Sequence, residues 1–127
     1  AARRPEPADE VAVDFVASAE ARGLNGRYAR LQGAQVNGRP VYARGQQHLV
    51  HLDDGTWVIK DGPRGEAGAY VYAYCEDAAL EPFTVQRPWY VMDDADGFVA
   101  DLCARIAPRR EAWDGSRGQA AGGTAWG

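Results

Sequence analysis

The chain is poor in the residues that do chemistry. Its 127 residues hold two histidines (His48 and His51), two cysteines (Cys75 and Cys103), two serines (Ser18 and Ser116) and a single lysine, Lys60. On one strand, the odd separation of the histidines puts them on opposite faces, which disfavours joint metal ligation. No Cys-x-x-Cys or His-Glu-x-x-His spacing occurs. Neither serine sits in a nucleophile-elbow context, and Gly62-Pro63-Arg64-Gly65 lacks the Lys-Ser/Thr of a phosphate loop. No apolar run approaches the roughly 18 to 20 residues that span a bilayer. The expectation is a chain without metal, cofactor or catalytic machinery, which meets a membrane only through a partner.

Basic charge is also short. The 14 cations against 18 carboxylates leave a net charge of -4 and a pI near 5.1, which argues against a general nucleic-acid binder. All cations but Lys60 are arginines, which suit interfaces. Abundant Ala, Gly, Arg and Pro beside scarce Lys, Asn and Ile also reads as the mark of a GC-rich genome. The two cysteines either pair, as in an oxidising compartment, or are buried free thiols. Asp93-Asp94-Ala95-Asp96-Gly97 invites comparison with a calcium loop. With Gly97 at the loop glycine, Met92 and Cys103 fall on the end ligand positions and cannot serve. It reads as an acidic turn.

What the chain does have is hairpin grammar. Asn37-Gly38 and Asp54-Gly55 stand between strand-like runs, the pairing that type I′ turns favour because both central residues need positive φ. Strands are expected at 27–31, 40–44, 48–52, 56–60, 69–75, 83–86 and 89–92. Residues 98–106 form a last strand or short helix. Residues 11–19 read as a first strand or as a helix running on to Gly23. The fold expected is all-β: a single antiparallel meander, small sandwich or partly open barrel of about seven or eight short strands. The β domain covers 11–107, with Pro108 closing it. An extended tail covers 1–10, and a Gly/Ala/Arg-rich tail covers 108–127.

Trp57 and Trp89 open apolar strand runs and read as core anchors. Tyr70, Tyr72 and Tyr74 alternate with Val71, Ala73 and Cys75, so they share one strand face, either packing the core or forming a platform for a sugar, base or partner. Trp113 and Trp126 lie in a tail that cannot bury them alone. With Arg109 and Arg110 they are candidate partner contacts.

The motifs Gly26-Arg27-Tyr28, Asn37-Gly38-Arg39-Pro40-Val41-Tyr42, Gly55-Thr56-Trp57-Val58-Ile59 and Trp89-Tyr90-Val91 occur in this order. They resemble a small uncharacterised β domain that recurs in proteins of dinoflagellates and related algae, over roughly residues 13–106. The resemblance implies no catalytic residue. With the first residue being Ala1 rather than Met, it suggests a processed organellar protein, peripheral to the thylakoid of a plastid. The resulting expectation is a non-enzymatic accessory subunit that binds partner proteins in a larger assembly, such as an algal photosystem–antenna supercomplex. The alternative is a carbohydrate or small-ligand module using the Tyr70/Tyr72/Tyr74 face.

Overall fold

A computed structural model describes residues 7–62 and 70–109. It contains nine strands: β1 (Glu10–Asp14), β2 (Gly26–Val36), β3 (Arg39–Arg44), β4 (Gln47–His51), β5 (Trp57–Asp61), β6 (Val71–Cys75), β7 (Trp89–Asp93), β8 (Gly97–Asp101) and β9 (Arg105–Arg109). One helical turn, α1 (Ala19–Arg22), follows β1, and a 3-10 turn, Pro82–Thr84, precedes β7. All strands join one antiparallel sheet in the order β8-β7-β6-β5-β4-β3-β2-β1-β9. The all-β meander expected from the hairpin signals is the observed architecture.

The sheet curls because its strands share one core. Val11 and Val13 of β1, Tyr28, Tyr42, Leu49, Trp57 with Ile59, Ala73 with Cys75, and Trp89 with Val91 form one buried cluster, which Val99 of β8 and Ile106 of β9 join at its margin. Only a wrapped sheet lets nine strands present side chains to a single cluster. The connectivity demands the same. β8 and β9 lie at opposite ends of the strand order, yet only residues 102–104 separate them. That link reaches about 14 Å at full extension, so the two edges must come together. The Pro82–Thr84 turn packs against β9 at this seam.

Three side chains fasten the end of the curl. Asp101 Oδ2 accepts from the Val16 and Ala17 N–H groups at 2.7 and 2.9 Å, and its Oδ1 accepts from Cys103 N–H at 3.2 Å. Ser18 caps α1 by accepting from Ala21 N–H, while its hydroxyl donates to Met92 O at 2.6 Å. Asn25 continues the β1–β2 ladder with its side chain: Oδ1 accepts from Phe15 N–H at 2.7 Å and Nδ2 donates to Phe15 O at 3.0 Å. Gly26, next to it, has φ +143°, and a Cβ there would lie 2.8 Å from Arg44 Nε. The positive φ favours glycine, and a larger residue would also have to displace the Arg44 side chain.

Several expectations change. Residues 10–22 hold both competing forms, strand β1 and then helix α1, separated by Ser18 as N-cap. The strand expected at 83–86 is a 3-10 turn with Pro82 at its start, where φ suits proline and the missing N–H is no loss. Residues 98–106 make two strands, because the Asp101 side chain turns the chain at Cys103 without Gly or Pro. Pro108 does not close the domain. It lies inside β9 opposite Val11, on an edge strand that can spare an N–H. Ala8 is fully buried and accepts from the Tyr42 hydroxyl, so the domain begins before residue 11. Asn37 (φ 53°) and Gly38 (φ 72°) form the expected left-handed pair, whereas at the second hairpin only Gly55 has positive φ. There the loop is longer, closed by Leu52 N–H to Thr56 O and Gly55 N–H to Leu52 O. Among the described residues, no helix is long and apolar enough to cross a membrane.

Candidate binding surface

Alternation along β6, β7 and β8 sorts their side chains between two surfaces. Ala73, Cys75, Trp89, Val91 and Val99 belong to the inner cluster. Register sets Tyr74 opposite Tyr90, Tyr90 opposite Ala100, and Met92 opposite Phe98, all on the outer surface. The Tyr74 and Tyr90 rings stack at 5.2 Å with 13° between planes, and Phe98 meets Tyr74 edge-on at 5.2 Å. The Tyr70 hydroxyl contacts Met92 Sδ at 3.4 Å. Phe98 is 42% exposed and Tyr70 53%. This aromatic group spreads across the outside of the sheet to the edge strand β8.

A smaller apolar cluster continues it inward along the outer surface. Val41, Val50 and Val58 are buried there, with Val71 and Tyr74 packed at their border. Apolar side chains thus run from β3 to β6 on the side of the sheet opposite the main core, sharing it with His48 and Lys60 on β4 and β5. Aromatic pairs at 4.5–7 Å contribute about 0.5–1.5 kcal/mol beyond the area they bury, so the stack holds its own shape while part of it faces solvent.

The tyrosine stripe expected on one face is divided. Ile59 pairs with Ala73 but Lys60 pairs with Val71, so β6 carries one extra residue, Tyr72, at a bulge. A bulge breaks the two-residue alternation. Tyr72 packs against the inner cluster and donates to Asp61 Oδ1 at 2.9 Å, while Tyr74 packs against the outer one. Tyr70 precedes the strand and sits edge-on to Tyr72 at 4.9 Å. Burial and the Asp61 carboxylate together push the Tyr72 phenol up from its usual range.

The polar residues gather at one end of the curl and are consumed there. His51 is buried edge-on to Trp57 at 5.1 Å. The Asn37 amide Nδ2 donates to His51 Nδ1 at 2.9 Å, so Nδ1 is the acceptor and Nε2 carries the hydrogen, donated to Asp77 O at 2.9 Å. Burial lowers the His51 pKa, with the Arg39 charge acting the same way and the bond to Asp77 opposing. Trp57 Nε1 and Arg39 Nε both donate to Ala79 O. Burial alone would raise the Asp77 carboxyl. Bonds from Gln86, Ala79 and Arg87 N–H overturn that and hold it low. Cys75 is buried, and its thiol is pushed up to about 12, chiefly by burial and then by the Asp77 charge. These groups fix the loop between β6 and β7.

The remaining sequence candidates fall apart spatially. His48 bonds Gln46 O through Nδ1, well away from the His51 network. Arg109 lies in β9, 3.7 Å from Glu10, which also meets Arg27 at 3.7 Å across the sheet. It is part of a surface ion-pair group, worth little in stability. Arg110, Trp113 and Trp126 lie outside the described residues. Trp57 and Trp89 are core anchors as expected, at 0% and 3% exposure. The cysteines are unpaired, Cys75 buried and Cys103 exposed in the β8–β9 turn, so the thiols are not both buried as one alternative had it. Asp93–Gly97 is a hairpin turn in which Asp93 accepts from Ala95 N–H. No cluster of three metal-ligating side chains occurs among the described residues.

Tyr90 and Phe98 were not singled out by sequence. The signal was present in Trp89-Tyr90-Val91-Met92, where burying Trp89 and Val91 turns Tyr90 and Met92 outward. No protein-family model, curated protein or solved structure matches this chain.

Proposed function

We propose that this chain is a non-enzymatic binding subunit whose contact surface is the outer aromatic face of β6, β7 and β8. The observation that carries this reading is the Tyr74–Tyr90–Phe98 group, with Phe98 exposed, on the side of the sheet opposite the main core. Aromatic side chains with little rotamer entropy to lose are the residues that anchor protein interfaces. The commitment of His51, Asp77, Cys75 and Asp101 to internal hydrogen bonds supports a binding rather than a catalytic role. The partner is a protein, and the algal resemblance directs the search to organellar assemblies, a photosystem–antenna supercomplex among them. The tail residues Arg110, Trp113 and Trp126 would add contacts beyond this face.

Native co-purification tests the reading with two variants. Tyr90→Ser with Phe98→Ser removes two of the outer aromatics, both partners of Tyr74, without touching the inner core. Removal of residues 110–127 removes the tail. The double variant loses both ring pairs, so it should unfold at a lower temperature while staying cooperatively folded, and it should lose its partners. Full retention by the double variant, with loss on tail removal, would place binding on the tail instead. A carbohydrate platform would instead show as sugar-induced quenching of tyrosine emission.

A further inference from the structure

The seam of the curl holds a cavity of about 530 Å³, between residues 82–89 on one side and 101–107 on the other. This lies within the range of small-molecule sites. Phe83, Val85 and Ile106 give it an apolar wall that continues the inner cluster. Trp89 lines it too, and its indole Nε1 is buried without a hydrogen-bond acceptor. Buried indole N–H groups normally find one.

Charge at the seam runs against the chain as a whole. Net charge is -4, yet two of the three charged residues lining the cavity are arginines, Arg87 and Arg105. Both are exposed at the rim, and neither guanidinium makes a hydrogen bond or ion pair with a described residue. The third is Asp101, whose oxygens already take three backbone N–H groups. Asp77, whose charge acts on Arg87, likewise takes three. The cavity thus offers an apolar wall and two cations beside the buried Trp89 indole, with its carboxylates committed elsewhere.

We propose that this seam cavity binds a small ring-bearing organic carboxylate. The ring lies against Phe83, Val85 and Ile106 beside the Trp89 indole, and the carboxylate pairs with Arg87 and Arg105. Guanidinium forks match carboxylates in shape as well as charge. The site is separate from the outer aromatic face and stands whether or not that face binds a partner.

Titration of the full ¹⁵N-labelled chain with 2-naphthoate tests it, read on the Trp89 indole N–H resonance, which is assigned by its loss in Trp89→Phe. Millimolar 2-naphthoate should shift that resonance saturably. Neutral 2-naphthalenemethanol should bind about tenfold or more weakly, as should 2-naphthoate to the Arg87→Gln/Arg105→Gln double variant. Both arginines are exposed, so that variant should keep its fold, verified by its unperturbed amide spectrum. An unmoved indole resonance overturns the proposal. So does equal affinity for the neutral analogue, or for the double variant.

Discussion

Asn37 and His51 are bonded to each other 2.9 Å apart, and each restricts the other. Asn37 holds the left-handed corner of the β2–β3 hairpin at φ 53°, and its Nδ2 donates both to His51 Nδ1 and to Leu52 O. His51 passes the constraint to the β6–β7 loop through Asp77 O. Turn geometry, imidazole tautomer and loop position are thus set by one chain of hydrogen bonds. Replacing Asn37 by Ala should cost about 2 kcal/mol or more, from left-handed strain and a stranded ring nitrogen. Asn37→Gly keeps the turn and should lose only about half of that. Urea unfolding of both variants separates the two contributions.

Acid should weaken the same network. The folded-state pKa of His51 is lowered, so the unfolded chain takes up the proton first. Its contribution is full above the unfolded value of about 6.5 and is lost as pH falls below it. Asp77, also held low, loses its contribution at more acid pH, below the ordinary carboxylate value near 4. Stability measured by urea from pH 7.5 to 5 should decline, and His51→Gln should flatten that decline while leaving the Asp77 step below it.

Alkali acts at the opposite end of the curl. Tyr28 is buried, donates to Leu24 O at 2.7 Å, and has its phenol pushed up to about 12 by burial. Its folded pKa lies above the unfolded value, so its contribution is present below about pH 10 and is lost as pH rises toward 12. Tyr28→Phe should cost about 1 kcal/mol at neutral pH and reduce the alkaline loss, as seen by circular dichroism.

The two thiols should react very differently. Cys103 is exposed, whereas Cys75 is buried, donates to Arg87 O, and titrates at about 12. A thiol-specific reagent at pH 8 should label Cys103 alone in the native protein and both cysteines in denaturant. Rapid native labelling of Cys75 would mean that the β6–β7 loop opens readily.

Asp101 is the clasp of the curl. Asp101→Ala would strand the Val16 and Ala17 N–H groups and free the β8–β9 turn. The expected loss is about 2–4 kcal/mol. Hydrogen exchange should show lost protection at Val16 and Ala17 before the sheet as a whole opens.

The all-β class and most of the strands were legible because turn residues punctuate the chain, whereas the strand order was not. Asn37-Gly38 and Gly55 leave little choice of where the chain reverses, and β4, β5 and β7 fall within a residue or two of their expected ends. The β8–β9 turn was not legible, since it depends on an Asp101 side chain that also reaches 85 residues back to Val16. Nor was the division of the tyrosines. One extra residue at Tyr72 inverts a face, and nothing in Ala69-Tyr70-Val71-Tyr72 marks it as a bulge. The outer aromatic face needed both the strand register and knowledge of which side the core lies on. Only then does Phe98, the residue directly after the acidic turn, meet Tyr74 of another hairpin.

The outer-face reading is tested most directly by site-specific photocrosslinking. A benzophenone amino acid placed at Phe98 should yield a discrete adduct with one partner protein in native extracts, and Tyr90→Ser in the same chain should abolish it. The same probe at Gln35, exposed on β2 away from the aromatic group, should yield none. No adduct from position 98, or an adduct from position 35 of equal yield, would contradict the assignment of the β6–β8 face as the contact surface.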